Sequence, residues 1–339
     1  MTSISTPVSA ALPAAHGPLS MAVRRFLTST APRNYLPRTS ASVRDSDPFG
    51  LDLQLALYMC YELHYRGFAG VDSAWEWNPA LLQLRAELER VFLAGVRRDV
   101  GAIEPGRTSA AEMEALCVEP AHGTGPSYYL RDTGTWQQMR EYFVHRSLYH
   151  LKEGDPHAFV IPRLTGRAKA AFVAIEFDEY GAGQGPHMHQ QLFADLLTAA
   201  GLNSTYLGYL DAVPAESLAV VNLMSLFGLH RWLRGAAIGH FASTEITSPP
   251  GSQRMVDALQ RMAAPRECIA FYREHVEADA VHEQVVRHDV VGDLVATEPQ
   301  LDHDVVFGIR AHAAVENRLA DHIIESWTAG RTSLRKPMG

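Results

Sequence analysis

Cysteine is scarce in this 339-residue chain: Cys60, Cys117 and Cys268 are far apart, odd in number and without a CxxC pair. That pattern excludes a disulfide framework and a structural zinc site, and it suits a reducing cytoplasm. Long hydrophobic runs are missing too. Arg, His, Asp or Glu interrupts every apolar stretch before it nears the roughly 18 residues a bilayer span requires, so no membrane insertion is expected. The first 44 residues have no acidic side chain but carry Arg24, Arg25, Arg33, Arg38 and Arg44, so a formal net charge of −8 leaves the rest near −13. Nucleic acid is a poor partner for so acidic a body.

Residues 1–45 are also poor in large apolar side chains. They are rich in Ser, Thr, Ala and Pro, resemble a transit peptide in composition, and are expected to form a disordered tail. A secretory signal is not expected, because Pro7, Pro13 and His16 interrupt any apolar core. Beyond the tail, an apolar content of 47% is ample for a core, and neither an internal repeat nor a clearly alternating strand is visible. Instead, apolar residues recur at three- and four-residue spacing in 51–66, 78–98, 135–155, 166–181, 187–202, 215–247, 268–295 and 304–327. Asn78-Pro79 makes a helix cap and first helical residue, and loops carry Gly or Pro, as at Ser248-Pro249-Pro250-Gly251. The expected fold is all-α: a helical bundle over 46–330, in which 46–134 is an N-terminal helical extension, followed by a basic tail at 331–339.

What is present in chemistry-bearing residues centres on EHVEADAVHEQ. His275, Asp279 and His282 are spaced i, i+4 and i+7, which puts them on one helical stripe within about 60°. Imidazole and carboxylate together suit Fe, Mn, Zn or Cu, and the stripe can serve two neighbouring metals as well as one. Glu274 and Glu277 point elsewhere. Upstream, Glu176 and Glu179 share a face one turn apart, and Gly181, Gly183, Gly185 and Pro186 break the helix before His187 and His189. A kink there brings Glu179 and His189 within reach of one centre. Glu245 stands among small and apolar residues, where a buried carboxylate needs a partner. Glu153 ends a helix carrying Tyr142, Phe143 and Leu148.

Four segments, YELHYRGFAG (61–70), LKEGDPHAFVIPRLTGRAKAA (151–171), DEYGAGQGPHMHQQLF (178–193) and FYREHVEADAVHEQ (271–284), resemble the haem-oxygenase-like diiron oxidases, also described as iron-containing redox enzymes. The resemblance runs from about residue 50 to 327. It implies a haem-oxygenase-like bundle with extra N-terminal helices, two Fe(II) ions, and O₂ as co-substrate. It also implies the ligands: Glu179 and His189 from one core helix, Glu245 from a second, and His275, Asp279 and His282 from a third. Glu153 matches a carboxylate that in some members closes on the metal during turnover. Gln184 and Pro186 stand where some relatives offer another acid. Three standing carboxylates against two divalent ions leave the site under-compensated, which is the reason a mobile Glu153 is expected to help.

The same resemblance covers N-oxygenation of amines or guanidines, decarboxylation of fatty acids, and fragmentation of amino acids. A pocket wall of Phe172, Phe177, Tyr180, Phe241, Phe271 and Tyr272, made polar by Glu176, Asp178 and Thr244, favours a small nitrogen-containing substrate and N-oxygenation, towards a product such as 2-nitroimidazole. An external electron donor, a cytoplasmic location and compatibility with a homodimer complete the expectation. Metal-free hydrolysis by a cysteine on the same kind of fold is the competing class, although none of the three cysteines has a visible His and acid beside it. The run Gly181 to Pro186 follows acidic residues on a helix, which argues against a phosphate cradle. His230, His240 and His312 are single histidines with no haem-ligand pattern around them.

Overall fold

The computed structural model describes residues 10–29, 43–119 and 122–338. Among them there is no strand, and the expected all-α bundle is what the chain forms. The helices are α1 (Pro18–Thr28), α2 (Leu51–Glu62), α3 (Pro79–Val100), α4 (Ser109–Leu116), α5 (Pro126–Asp132), α6 (Trp136–His150), α7 (Asp155–Ala158), α8 (Gly166–Glu179), α9 (His189–Ala199), α10 (Ala215–Leu229), α11 (Arg234–Arg261), α12 (Arg266–Val285), α13 (Asp293–Thr297) and α14 (Asp302–Thr328). None is long and apolar enough to cross a membrane.

Local chemistry explains several boundaries. The Asn78 side chain accepts the Ala80 and Leu81 N–H groups at the head of α3, with Pro79 in the first position, as the sequence predicts. Thr135 and Gln138 form a reciprocal capping box at the start of α6. From Ser217 to Gly228, α10 is buried on every side, which makes it the bundle's central rod. Beside it, α11 lies along both α12 and α14. The crossing of α11 with α14 needs glycine, since a Cβ on Gly239 would meet the Val305 carbonyl and one on Gly308 the Ala236 carbonyl.

Four expectations change. The segment 1–45 is not uniformly disordered: α1 buries Leu19, Val23, Phe26 and Leu27, a helical spacing hidden by the surrounding Ser, Ala and Pro. Its N-terminus is held by Asp52, whose carboxylate accepts the Leu19 and Ser20 N–H groups at 2.9 and 2.8 Å. Residues 1–9 and 30–42 of that tail lie outside the described residues. The basic C-terminal segment is not loose either. Ser333 is buried and donates its backbone N–H to Glu141 at 3.0 Å, and the Arg335 N–H reaches the Ala212 carbonyl at 2.8 Å.

The stretch 215–247 is two helices rather than one, because His230 adopts an extended backbone between α10 and α11. Conversely, Ser248-Pro249-Pro250-Gly251 is no loop: α11 runs through it. Proline's φ is compatible with a helix, and its cost is a missing N–H, here withheld from the carbonyls four residues back, those of Glu245 and Ile246.

The packing of α1 gives a test. Phe26 is 3% exposed and meets Trp75 edge to face at 5.8 Å. Phe26→Ala is expected to destabilise the protein by about 3–5 kcal/mol in denaturant unfolding, whereas a disordered tail would give no change.

Candidate metal centre

The helix break after α8 is the device that assembles the site. Gly181, Ala182 and Gly183 have φ of +67°, +52° and +79°, turning the chain back on itself. A Cβ on Gly181 would lie 2.5 Å from the Met188 backbone nitrogen, so only glycine lets the two strands of the turn approach this closely. As a result Glu179 Oε2 and His189 Nδ1, ten residues apart in sequence, stand 2.9 Å from each other. The stripe on α12 is equally well formed: His275, Asp279 and His282 are all buried.

These donors sort into two triads. Glu153, His189 and His275 have donor atoms within 4.8 Å of one another, and so do Glu179, Asp279 and His282. The Glu179–His189 approach joins the triads. Glu245, from α11, lies outside both: its Oε2 is 3.2 Å from His282 Nδ1, while Asp279 Oδ1 is 3.4 Å from the same nitrogen. All seven residues expected from the sequence are thus brought together. Glu153, expected to approach only during turnover, is already a member of the first triad.

The protein leaves these donor atoms without hydrogen bonds. Glu153 Oε2, His189 Nδ1, Glu245 Oε2, His275 Nε2 and His282 Nδ1 are buried and unpartnered, although carboxylate and imidazole atoms lie close by. Close approach without hydrogen-bond alignment is what donors aimed at a common cation show. The other imidazole nitrogens are fixed from outside. His275 Nδ1–H donates to the Phe271 carbonyl at 2.8 Å, leaving Nε2 free, and His282 Nε2–H donates to Asp178 at 3.2 Å, leaving Nδ1 free. Such outer partners set the tautomer a metal ligand requires. His150 Nδ1 lies 2.7 Å from Glu153 Oε1 and fixes that carboxylate. Neither His150 nor the link from Asp178 to His282 was foreseen, although His150 precedes Glu153 by three residues at a helix end.

Glu176 is buried in the same region with both oxygens unpartnered. Burial, followed by the Glu179 and Glu245 carboxylates, pushes its carboxyl well above the usual range, which favours the neutral form. His187 is exposed and takes no part.

A cavity of about 420 Å³ opens onto the centre. Glu153, Glu179, Glu245, His275 and Asp279 form its floor, and its walls include Thr244, Phe271, Tyr272, His312 and the Arg146–Glu316 pair. That pair is bidentate, with both contacts at 2.7 Å. The expected wall is only partly right. Phe271, Tyr272 and Thr244 line the cavity, whereas Phe172, Phe177, Tyr180, Phe241, Glu176 and Asp178 do not. Phe172 instead packs on Phe241 at 4.7 Å, and Phe177 is 54% exposed. The cavity therefore lies towards α6, α11, α12 and α14, and the sequence does not reveal the Arg146–Glu316 pair because its members lie 170 positions apart.

The charges predict how metal enters. Burial alone would lower the pKa of His275, but the Glu153 carboxylate outweighs it and raises the group to about 10. Burial is likewise outweighed at His282, which Asp279 and Glu245 raise to about 11. Both imidazoles therefore carry a proton at pH 7 in the metal-free protein, and metal must displace it. Glu245, pushed up to about 8 by burial and the neighbouring Asp279 carboxylate, holds a further proton. Anaerobic loading at pH 7 in weak buffer is therefore expected to release protons, up to about three per chain, and affinity should rise with pH towards about 10. Uptake with no proton release would show that His275 and His282 are not ligands.

Residues 140–317 match the family described as iron-containing redox enzymes. No curated protein matches the chain. The matched span holds every residue of both triads together with Glu245, and the observed all-α bundle agrees with the haem-oxygenase-like architecture. The chain belongs to the family of iron-containing redox enzymes.

Proposed function

We propose that the protein is a non-haem diiron oxygenase. One iron is held by Glu153, His189 and His275 and the other by Glu179, Asp279 and His282, at the floor of a cavity that admits a small nitrogen-containing substrate. The observation that carries the reading is the set of orphaned, buried donor atoms facing one another beneath that cavity. Bound iron(II) would supply electrons and open coordination positions for the reduction of O₂.

The charge count supports two divalent ions. Glu153, Glu179, Asp279 and Glu245 bring four negative charges, which balance four positive ones without a carboxylate arriving from elsewhere. The roles expected of Glu153 and Glu245 are thereby exchanged. Glu153, fixed by His150 and grouped with two imidazoles, is the standing ligand, and Glu245, outside both triads, is the carboxylate free to change position.

N-oxygenation of an amine or guanidine-like nitrogen fits the walls best. Ser243, Thr244 and Glu316 line the cavity and give it polar and acidic surface that a fatty chain would desolvate at a cost. Hydroxylation of such a nitrogen consumes one O₂, two electrons from an external donor and two protons, and yields the N-hydroxy product and water. The cysteine-hydrolase reading fares worse: Cys60 and Cys268 do not line the cavity, and burial pushes both thiols up to about 12.

Iron titration and O₂ uptake test this reading together. The wild type is expected to bind two irons per chain and to consume O₂ faster with small amines or guanidines than with fatty acids. Asp279→Ala and Glu153→Ala should each lose at least one iron with helicity retained, and Glu245→Ala should keep iron but turn over at least about tenfold more slowly. Two irons and full activity in Asp279→Ala would sink the ligand assignment.

A further inference from the structure

The chain segments that carry Glu153, Glu179 and His189 meet at one oxygen atom outside the metal centre. Asp155 follows Glu153 by two residues, at the start of α7. Its Oδ1 accepts the Tyr180 hydroxyl at 3.1 Å and Gln190 Nε2–H at 3.0 Å. Tyr180 is the residue after Glu179, and Gln190 is the residue after His189. Gln190 Nε2 also donates to the Glu153 carbonyl at 2.9 Å. Its Oε1 accepts Arg66 Nη2 at 2.8 Å, and the same Arg66 nitrogen reaches the Leu151 carbonyl at 3.2 Å. The turn has little slack: Gly154 has φ +84°, and a Cβ there would lie 3.2 Å from Glu176 Oε2 and from the Tyr180 ring.

Asp155 belongs to neither triad and does not line the cavity. Glu153 and His189 are in the first triad and Glu179 is in the second, so the groups bonded to Asp155 Oδ1 span both. No intrahelical hydrogen bond does this, because a turn or a break separates each of the three segments from the next.

We propose that Asp155 is a positioning residue that fixes the distance between the two triads, and with it the ability of the centre to hold two irons at once. It acts through Tyr180 and Gln190, and it touches neither substrate nor metal. The inference rests on the two-iron reading above. Both incoming bonds end on a single oxygen, so asparagine, with its amide oxygen in the same place, preserves them, whereas alanine removes them. Position, not charge, is what Asp155 supplies.

The test is an anaerobic iron(II) titration of the full-length protein, followed by Mössbauer spectroscopy of the oxidised protein to read the coupling between the two irons. Asp155→Ala is expected to weaken uptake of at least one iron by ~10–100-fold, as loss of an outer-sphere partner typically does, and to diminish the spin-coupled signal. Asp155→Asn should restore both. A folded Asp155→Ala with wild-type titration and spectrum overturns the proposal, as does an Asp155→Asn that fails in the same way. Should Asp155→Ala not fold, Tyr180→Phe and Gln190→Leu each delete one donor to the shared oxygen. Weaker iron binding in both upholds the tether, and wild-type binding and coupling in both refute it. Wild-type protein that takes up no iron would instead overturn the two-iron reading, and the tether with it.

Discussion

The burial of charge governs this structure. Glu153, Glu176, Glu179, Glu245 and Asp279 are all buried, together with His189, His275 and His282, in one region of the bundle. Two like charges about 4 Å apart repel by roughly 4 kcal/mol at an effective dielectric of about 20. A domain's whole stability is only about 5–15 kcal/mol. These carboxylates cannot all stay ionised without compensating positive charge. Protons on His275 and His282 provide part of it in the metal-free protein, and burial lessens the need by pushing the Glu245 carboxyl up to about 8 and that of Glu176 well above the usual range. Two divalent cations would satisfy the same donors through lone pairs that make no hydrogen bond.

Regular helices alone could not have assembled this group. The stripe on α12 follows from helical geometry and Glu245 projects from within α11, but Glu153, Glu179 and His189 sit where helices end or begin. Glu153 follows α6 in a tight turn completed by Gly154, and Glu179 closes α8 before the break at Gly181. Each of these helix ends gives up backbone hydrogen bonds and gains a direction in which a side chain can be aimed. The outer shell then removes the freedom so created: Phe271, Asp178 and His150 orient individual donors, and Asp155 ties together the segments that bear three of them.

The cavity above the donors has a different logic. Its walls come from α6, α11, α12 and α14, and its charged pair, Arg146 with Glu316, is internally satisfied, so the wall is polar without being strongly of one sign. Tyr272 keeps a buried hydroxyl without a partner.

Much of this was legible in the sequence because it depends on short-range periodicity. The spacing of His275, Asp279 and His282 fixed one donor stripe as soon as the segment was read as a helix, and the glycines after Glu179 announced a break before His189. Glu245 among small apolar residues and Glu153 at a helix end also stand out in the sequence, and resemblance to a family implies their metal roles. The same local reading failed where composition masked a pattern: α1 was hidden among Ser, Ala and Pro, and two prolines suggested a loop where α11 continues. Tertiary structure alone decided what depends on distance between remote segments. It grouped Glu153 with His189 and His275, left Glu245 outside both triads, paired Arg146 with Glu316 across 170 positions, and set Asp178 against His282. Helical periodicity specifies which side chains share a face. It contains no term for which faces meet, and that is settled only when the apolar surfaces of the bundle pack together.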